Sequence, residues 1–186
     1  MYAPGVLLES ALHYKEFPMS ITLSQMTLPT YQRMLGNLKA ILQKGEAHAI
    51  AKKIEPSVFL TSRLFPDMFA LTRQVQIASD SAKGACARLS GQEIPKYEDT
   101  ETSFAELYAR IDKTLAYINS VNPESIDGAE SREIVIPVQS KELRFNGRDY
   151  VVQWALPNFY FHVMAAYAIL RHNGVDVGKW DFLGSF

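Results

Sequence analysis

The chain has 186 residues, of which 47% are hydrophobic and 21% charged, and its formal net charge is −1. That length and balance describe one globular domain able to bury a core, and they exclude a disordered chain. Nineteen Lys and Arg interspersed with twenty Asp and Glu leave no basic face for DNA or RNA, and no apolar run reaches the ~20 residues that cross a bilayer.

Residues 1–18, MYAPGVLLESALHYKEFP, have neither the basic start and continuous apolar core of a secretory signal nor the Arg-rich character of a transit peptide. They read as an N-terminal extension to a domain spanning 19–186, with the cytoplasm as the expected location. Met19-Ser20 has the form of a second start. From Leu28 to about Lys52 the residues Leu28, Tyr31, Leu35, Leu38 and Leu42 recur three or four apart, which predicts a long first helix. Thr27 is its expected cap, and Pro29 falls in the expected first turn, where a missing N–H is harmless.

PSVFLTSRLFP is a short helix or a structured connection. Asp67 opens the second predicted long helix, with Met68, Leu71, Val75, Ala78, Ala82 and Leu89 as its apolar stripe and Gly91 as its stop. The single cysteine, Cys86, lies on it; this count excludes an internal disulfide and a Cys-based zinc cluster, and a small buried thiol is the expected role. QEIPKYEDTET is an acidic loop before a third helix, opened by Thr102 or Ser103 and carrying Phe104, Leu107, Ile111, Leu115 and Ile118 as far as Asn122-Pro123.

Beyond NPESIDGAES the period changes, and REIVIPVQ and KELRFNG alternate as the two strands of one hairpin. The helical period returns from Asp149 to about His172. Pro157 marks either a kink in this helix or its start after a short turn, and Asn173-Gly174 closes it. Four long helices with a small β-hairpin inserted before the last predict an all-α fold, a four-helix bundle. No glycine-rich phosphate loop is present.

On the last helix Asn158, His162, Ala165, Ala166 and Ile169 share one face, apolar except at its first two members. A buried imidazole without partners costs on the order of 1–3 kcal/mol, so His162 needs them. Two readings stay open: Asn158 and His162 satisfy each other and a neighbouring carbonyl, or they are ligands. His172, in the last turn, is read as meeting the helix's negative end. On the second helix Gln76, Asp80 and Lys83 lie at i, i+4 and i+7. They form a solvated stripe or one wall of a polar cavity, in which His162 and Asp80 would be the catalytic acid–base pair. Trp154, Phe159, Tyr160, Phe161 and Tyr167 supply core and the walls of a small-molecule pocket.

The bundle plan, with HVMAAYAILRHNG near its end, resembles the DinB/YfiT-like metalloenzyme superfamily, whose last helix carries two histidines four apart before a Tyr-Leu-Arg-x-x-Gly ending. LPNFYFHV, RLFPDMFALTRQVQIASDSAKGA and ILRHNGVDVGKWDFLG resemble a branch of it known as a domain of unknown function, over nearly all of residues 20–184. The resemblance implies a divalent metal (Zn, Ni, Mn or Fe) held by one histidine of the second helix and two of the last. Here His162 matches the second of the last-helix pair, Asn158 stands at the first, and Gln76 is read at the helix-two position. One histidine with two amides is a weak set for such a metal, so the inherited site is degraded; His48, near the end of the first helix, is the residue that could restore it.

The resemblance also implies a small-molecule substrate, thiol-dependent transferase or isomerase chemistry, and pairing as a homodimer. Three readings therefore stand. The chain is a DinB-like transferase or isomerase around a degraded metal site, a metal-free isomerase or cyclase using His162 with Asp80 or His48, or a non-catalytic ligand-binding or dimeric scaffold.

Overall fold

The computed structural model describes residues 20–138 and 140–185; the extension read over residues 1–18 lies outside them. The first helix, α1, runs Leu23–Ala51 and begins five residues before the predicted start. Its cap is Thr22, not Thr27. Thr22 Oγ1 accepts from the Gln25 N–H while Gln25 Oε1 accepts from the Thr22 N–H, a capping box that satisfies two orphan donors. Thr27 is buried instead, its hydroxyl donating to the Leu23 carbonyl at 2.7 Å. Pro29 therefore stands inside the helix, where it removes one intrahelical hydrogen bond.

A short α2 (Pro56–Thr61) leads to α3 (Leu71–Ser90), which starts later than expected because Phe65–Met68 closes a turn first. Gly91, at φ 74°, adopts the left-handed conformation that ends α3. Ser103 and Glu106 form the capping box of α4 (Phe104–Ser120), and a five-residue α5 (Pro123–Asp127) follows where the sequence reads as a turn. The hairpin joins β1 (Glu133–Val138) to β2 (Lys141–Asn146), antiparallel, with Ile134 opposite Phe145 and Ile136 opposite Leu143.

The last long helix is continuous but not uniform. A single turn, α6 (Gly147–Asp149), passes into a π-helical segment at Tyr150–Ala155 and then into α7 (Leu156–His172). Pro157 has no N–H to complete an α-helical bond four residues back, and the widened π turn just before it accommodates that loss. A short α8 (Lys179–Leu183) then returns along α1, where Asn37 Nδ2 donates to the Phe182 carbonyl at 2.9 Å.

Side-chain pairs set the helix directions. Gln32 with Asn119, Lys39 with Asp112 and Glu46 with Tyr108 make α1 and α4 antiparallel. Tyr31 against Phe159 and Gly45 against Leu170 make α1 and α7 parallel. Gln74 with His162 and Ser81 with Asn158 make α3 and α7 antiparallel. The bundle is thus up-down-down-up, with α1, α4, α3 and α7 in cyclic order. Leu35, Leu38, Val75, Ala82, Leu107, Ile111, Val163 and Ile169 fill its centre, all fully buried. Among the described residues no helix is long and apolar enough to cross a membrane.

Two glycines test this packing in opposite directions. A β-carbon on Gly147 would lie 1.9 Å from the Ala129 carbonyl oxygen, which also accepts from the Arg132 N–H, whereas one on Gly36, in an exposed turn of α1, would meet nothing within 4 Å. Gly147→Ala is expected to cost about 3 kcal/mol and Gly36→Ala to add about 1 kcal/mol, read from urea unfolding midpoints at constant slope.

Candidate functional site

One face of α3 carries Gln74, Ser81 and Arg88, each seven residues and therefore two turns from the next. Because α7 runs the other way, this stripe meets His162, Asn158 and Tyr150 in that order. Gln74 Oε1 lies 2.7 Å from His162 Nδ1, both residues being buried. The Gln74 amide nitrogen donates to the Phe69 carbonyl at 3.1 Å, which fixes the amide with its oxygen toward the imidazole. His162 Nδ1 must then carry the proton and donate, leaving Nε2 with its lone pair. Burial, reinforced by the nearby Arg73 guanidinium, lowers the His162 pKa from 6.5 to about 4. The ring is neutral at physiological pH.

One turn down the seam, Asn158 Nδ2 donates to Ser81 Oγ at 3.1 Å, and below that the Arg88 guanidinium lies near the Tyr150 phenol. Burial raises the Tyr150 pKa while the charge of Arg88 opposes it, so the phenol stays protonated. These residues border a cleft of about 180 Å³, lined by Asp80, Ser81, Arg88, Ile136, Tyr150, Trp154, Ala155 and Asn158. Three of its walls, Tyr150, Trp154 and Ala155, belong to the π-helical segment, and Ile136 comes from the hairpin. The irregular backbone and the inserted hairpin both end at this cleft.

The residues expected from sequence are divided among three places. Asn158 and His162 do not bond each other; each pairs across the seam. Gln76 does not reach His162: it points to the other side of α3, where its amide donates to Glu101 at 2.8 Å and its oxygen accepts from Arg73. Gln74, two residues earlier, takes the place at His162, and a seven-residue polar repeat on an otherwise apolar helix face is the signal that marks it. Asp80 lines the cleft, but its Oδ1 accepts from both Lys83 Nζ and Arg110 Nη2 at 2.8 Å. His48 lies beyond the level of Leu170, more than two turns from His162, with its ring edge-on to Phe59 at 5.9 Å. Cys86 is fully buried, and burial pushes its thiol up to about 12.

The donor set does not fit the divalent metal implied by the family resemblance. Among the described residues no three His, Cys, Asp or Glu side chains group to hold an ion. At the seam the available groups are one imidazole, two amides and a hydroxyl, with the Gln74 oxygen and His162 Nδ1 already committed to each other. Zinc and its neighbours in the first transition row require imidazole, thiolate or carboxylate in numbers that this seam lacks.

An up-down-down-up bundle with a histidine of the last helix facing the second long helix defines a class of helical-bundle proteins. Within it, the chain belongs to the family described as Domain of unknown function (DUF1993), whose profile matches residues 23–183. Its structure is similar to the crystal structure of a DinB family member protein from Shewanella denitrificans, at 46% sequence identity and a TM-score of 0.82, covering 88% of this chain and 93% of that one. No curated protein matches it.

The depressed His162 pKa fixes a pH dependence. The unfolded chain, with its imidazole near 6.5, takes up the proton before the folded one does. The stability conferred by keeping the ring neutral is therefore complete above pH 6.5 and is lost as pH falls from 6.5 to about 4. The expected loss is about 2 kcal/mol, allowing for the solvent that reaches the ring. Urea midpoints from pH 7.5 to 4 should fall more steeply in the natural protein than in His162→Gln, and the His162 ring proton should titrate near pH 4 by NMR.

Proposed function

We propose that this chain is a metal-free small-molecule-binding bundle, with its ligand seated in the cleft between α3, α7 and the hairpin. The observation that carries this reading is Arg88. Its guanidinium lines the cleft half-buried, and among the described residues no carboxylate lies within ion-pair distance of it. A cation drawn partly out of water without a counter-charge is costly, and an anionic group of a ligand relieves that cost. Arg110, which reaches Asp80 from α4, shows the alternative. It borders a larger hollow of about 380 Å³, yet it is held by Asp80, Asp99 and Glu101 and offers no unmet charge.

The chemistry at His162 favours binding over catalysis. An imidazole whose conjugate acid has a pKa of about 4 takes protons poorly from groups that ionise near neutrality, so it is a weak general base. Its neutral, donor-locked ring is suited to holding α3 and α7 in register. The transferase and isomerase chemistry of the wider superfamily runs through a metal that this donor set does not support.

Thermal unfolding with short-chain carboxylates, amino acids and phosphate monoesters, beside elemental analysis of protein purified without tag or chelator, tests the proposal. At least one class is expected to raise the melting temperature by about 5 °C in the natural protein and not in Arg88→Gln. Near-stoichiometric zinc, nickel, manganese or iron that disappears in His162→Ala would instead establish a metal site at the seam.

A further inference from the structure

We infer that the cleft recognises a small zwitterion, a molecule of the amino-acid class whose carboxylate meets Arg88 and whose ammonium meets Asp80. This rests on the cleft being a ligand site, and goes further by assigning both of its charged ends. Arg88 and Asp80 are two turns apart on α3, too far for one small molecule if both side chains extended straight outward. Arg88 does not extend straight outward: its guanidinium folds back over Gly84, so closely that a β-carbon there would lie 2.7 Å from Nη1. The positive charge therefore sits beside position 84, about 6 Å of helical rise from Asp80. A carboxylate and an ammonium on one carbon can bridge such a gap, each through its own charge-assisted hydrogen bond.

The remaining polar atoms agree with this polarity. Lys83 Nζ and Arg110 Nη2 both reach Asp80 Oδ1 at 2.8 Å, yet the Asp80 side chain stays 35% exposed and lines the cleft, so its carboxylate keeps a face open to a ligand. Ser81 Oγ accepts from Asn158 Nδ2, which leaves its own proton to donate, and Asn158 Oδ1 keeps an unfilled acceptor. The cleft thus presents a guanidinium and a hydroxyl proton for an anion, and a carboxylate oxygen and an amide oxygen for a cation. Trp154 and Ile136 supply the apolar wall for a side chain. A volume of about 180 Å³ is small beside the few hundred Å³ of sites for drug-sized ligands, which limits that side chain to a short one.

Gly84 itself is the second observation. It is buried in the middle of α3, where glycine is unfavourable, and its missing side chain is what lets the guanidinium lie against the helix.

The test is a thermal-shift screen of the twenty standard L-amino acids. Titration calorimetry then follows on the strongest responder and on the two analogues of the same carbon skeleton lacking the amine or the carboxylate. The amino acid is expected to bind, and each analogue to bind at least tenfold more weakly. Arg88→Gln should abolish binding. Gly84→Ala should raise the melting temperature by a few degrees yet weaken the amino acid at least tenfold, a combination that a purely structural glycine would not give. If the deaminated acid binds as tightly as the amino acid and still needs Arg88, the zwitterion assignment fails while the ligand cleft stands. If no amino acid binds, the assignment also fails. If binding survives Arg88→Gln unchanged, both the assignment and the cleft are wrong.

Discussion

The arrangement depends on one constraint: α3 and α4 are neighbours that run the same way. Residues 92–103 must therefore travel back along the bundle, and a twenty-residue helix sets a climb of about 30 Å. Twelve extended residues reach about 40 Å, so the climb takes about three quarters of the strap's full reach and leaves it little slack. It is fastened by Arg110, whose buried guanidinium donates to the Glu98 carbonyl and pairs with Asp99 and Glu101 on the strap and with Asp80 on α3. Tyr97 adds its ring to the charges of Lys83, Arg110 and Lys113. Asp80 thus serves both the fastening of the strap and the border of the cleft, so the electrostatics of the two are one problem.

The opposite seam is held differently. Between α3 and the last helix, its π-helical segment included, the contacts are neutral or singly charged, at 74 with 162, 81 with 158 and 88 with 150. Their energetic weight lies less in the bonds made than in the bonds that a slipped register would leave unmade, since a buried imidazole or amide without a partner is penalised fully. Apolar packing drives the helices together; these polar pairs select one axial position.

Much of the fold was legible because helix caps and apolar periods are local. Ser103 with Glu106, Gly91, the hairpin strands and Asn173-Gly174 each announce themselves within a few residues. Thr27 misled because a threonine before a proline looks like a cap, whereas Thr22 with Gln25 offers the reciprocal pair and won. The site was less legible. Periodicity tells that Gln76, Asp80 and Lys83 share a face, and equally that Gln74, Ser81 and Arg88 do; it does not tell which face meets α7. That choice follows from the up-down-down-up order, a property of the whole chain. The π-helical turn also escaped, since Pro157 indicates an irregularity without specifying its form.

That π-helical turn has a consequence for how the chain can change by insertion and deletion. A π turn is an α-helix with one residue too many. Removing any one residue between 150 and 155 could be absorbed by a return to ordinary α-helix, leaving both ends hydrogen-bonded. The two halves would then rotate relative to each other by about 100°, the angle of one residue. Tyr150 and the hairpin before it would turn away from Asn158 and His162, and the cleft between them would come apart. A length change that the helix can tolerate as a helix would thus dismantle the site, which places a stricter limit on the spacing of these six residues than on their identity.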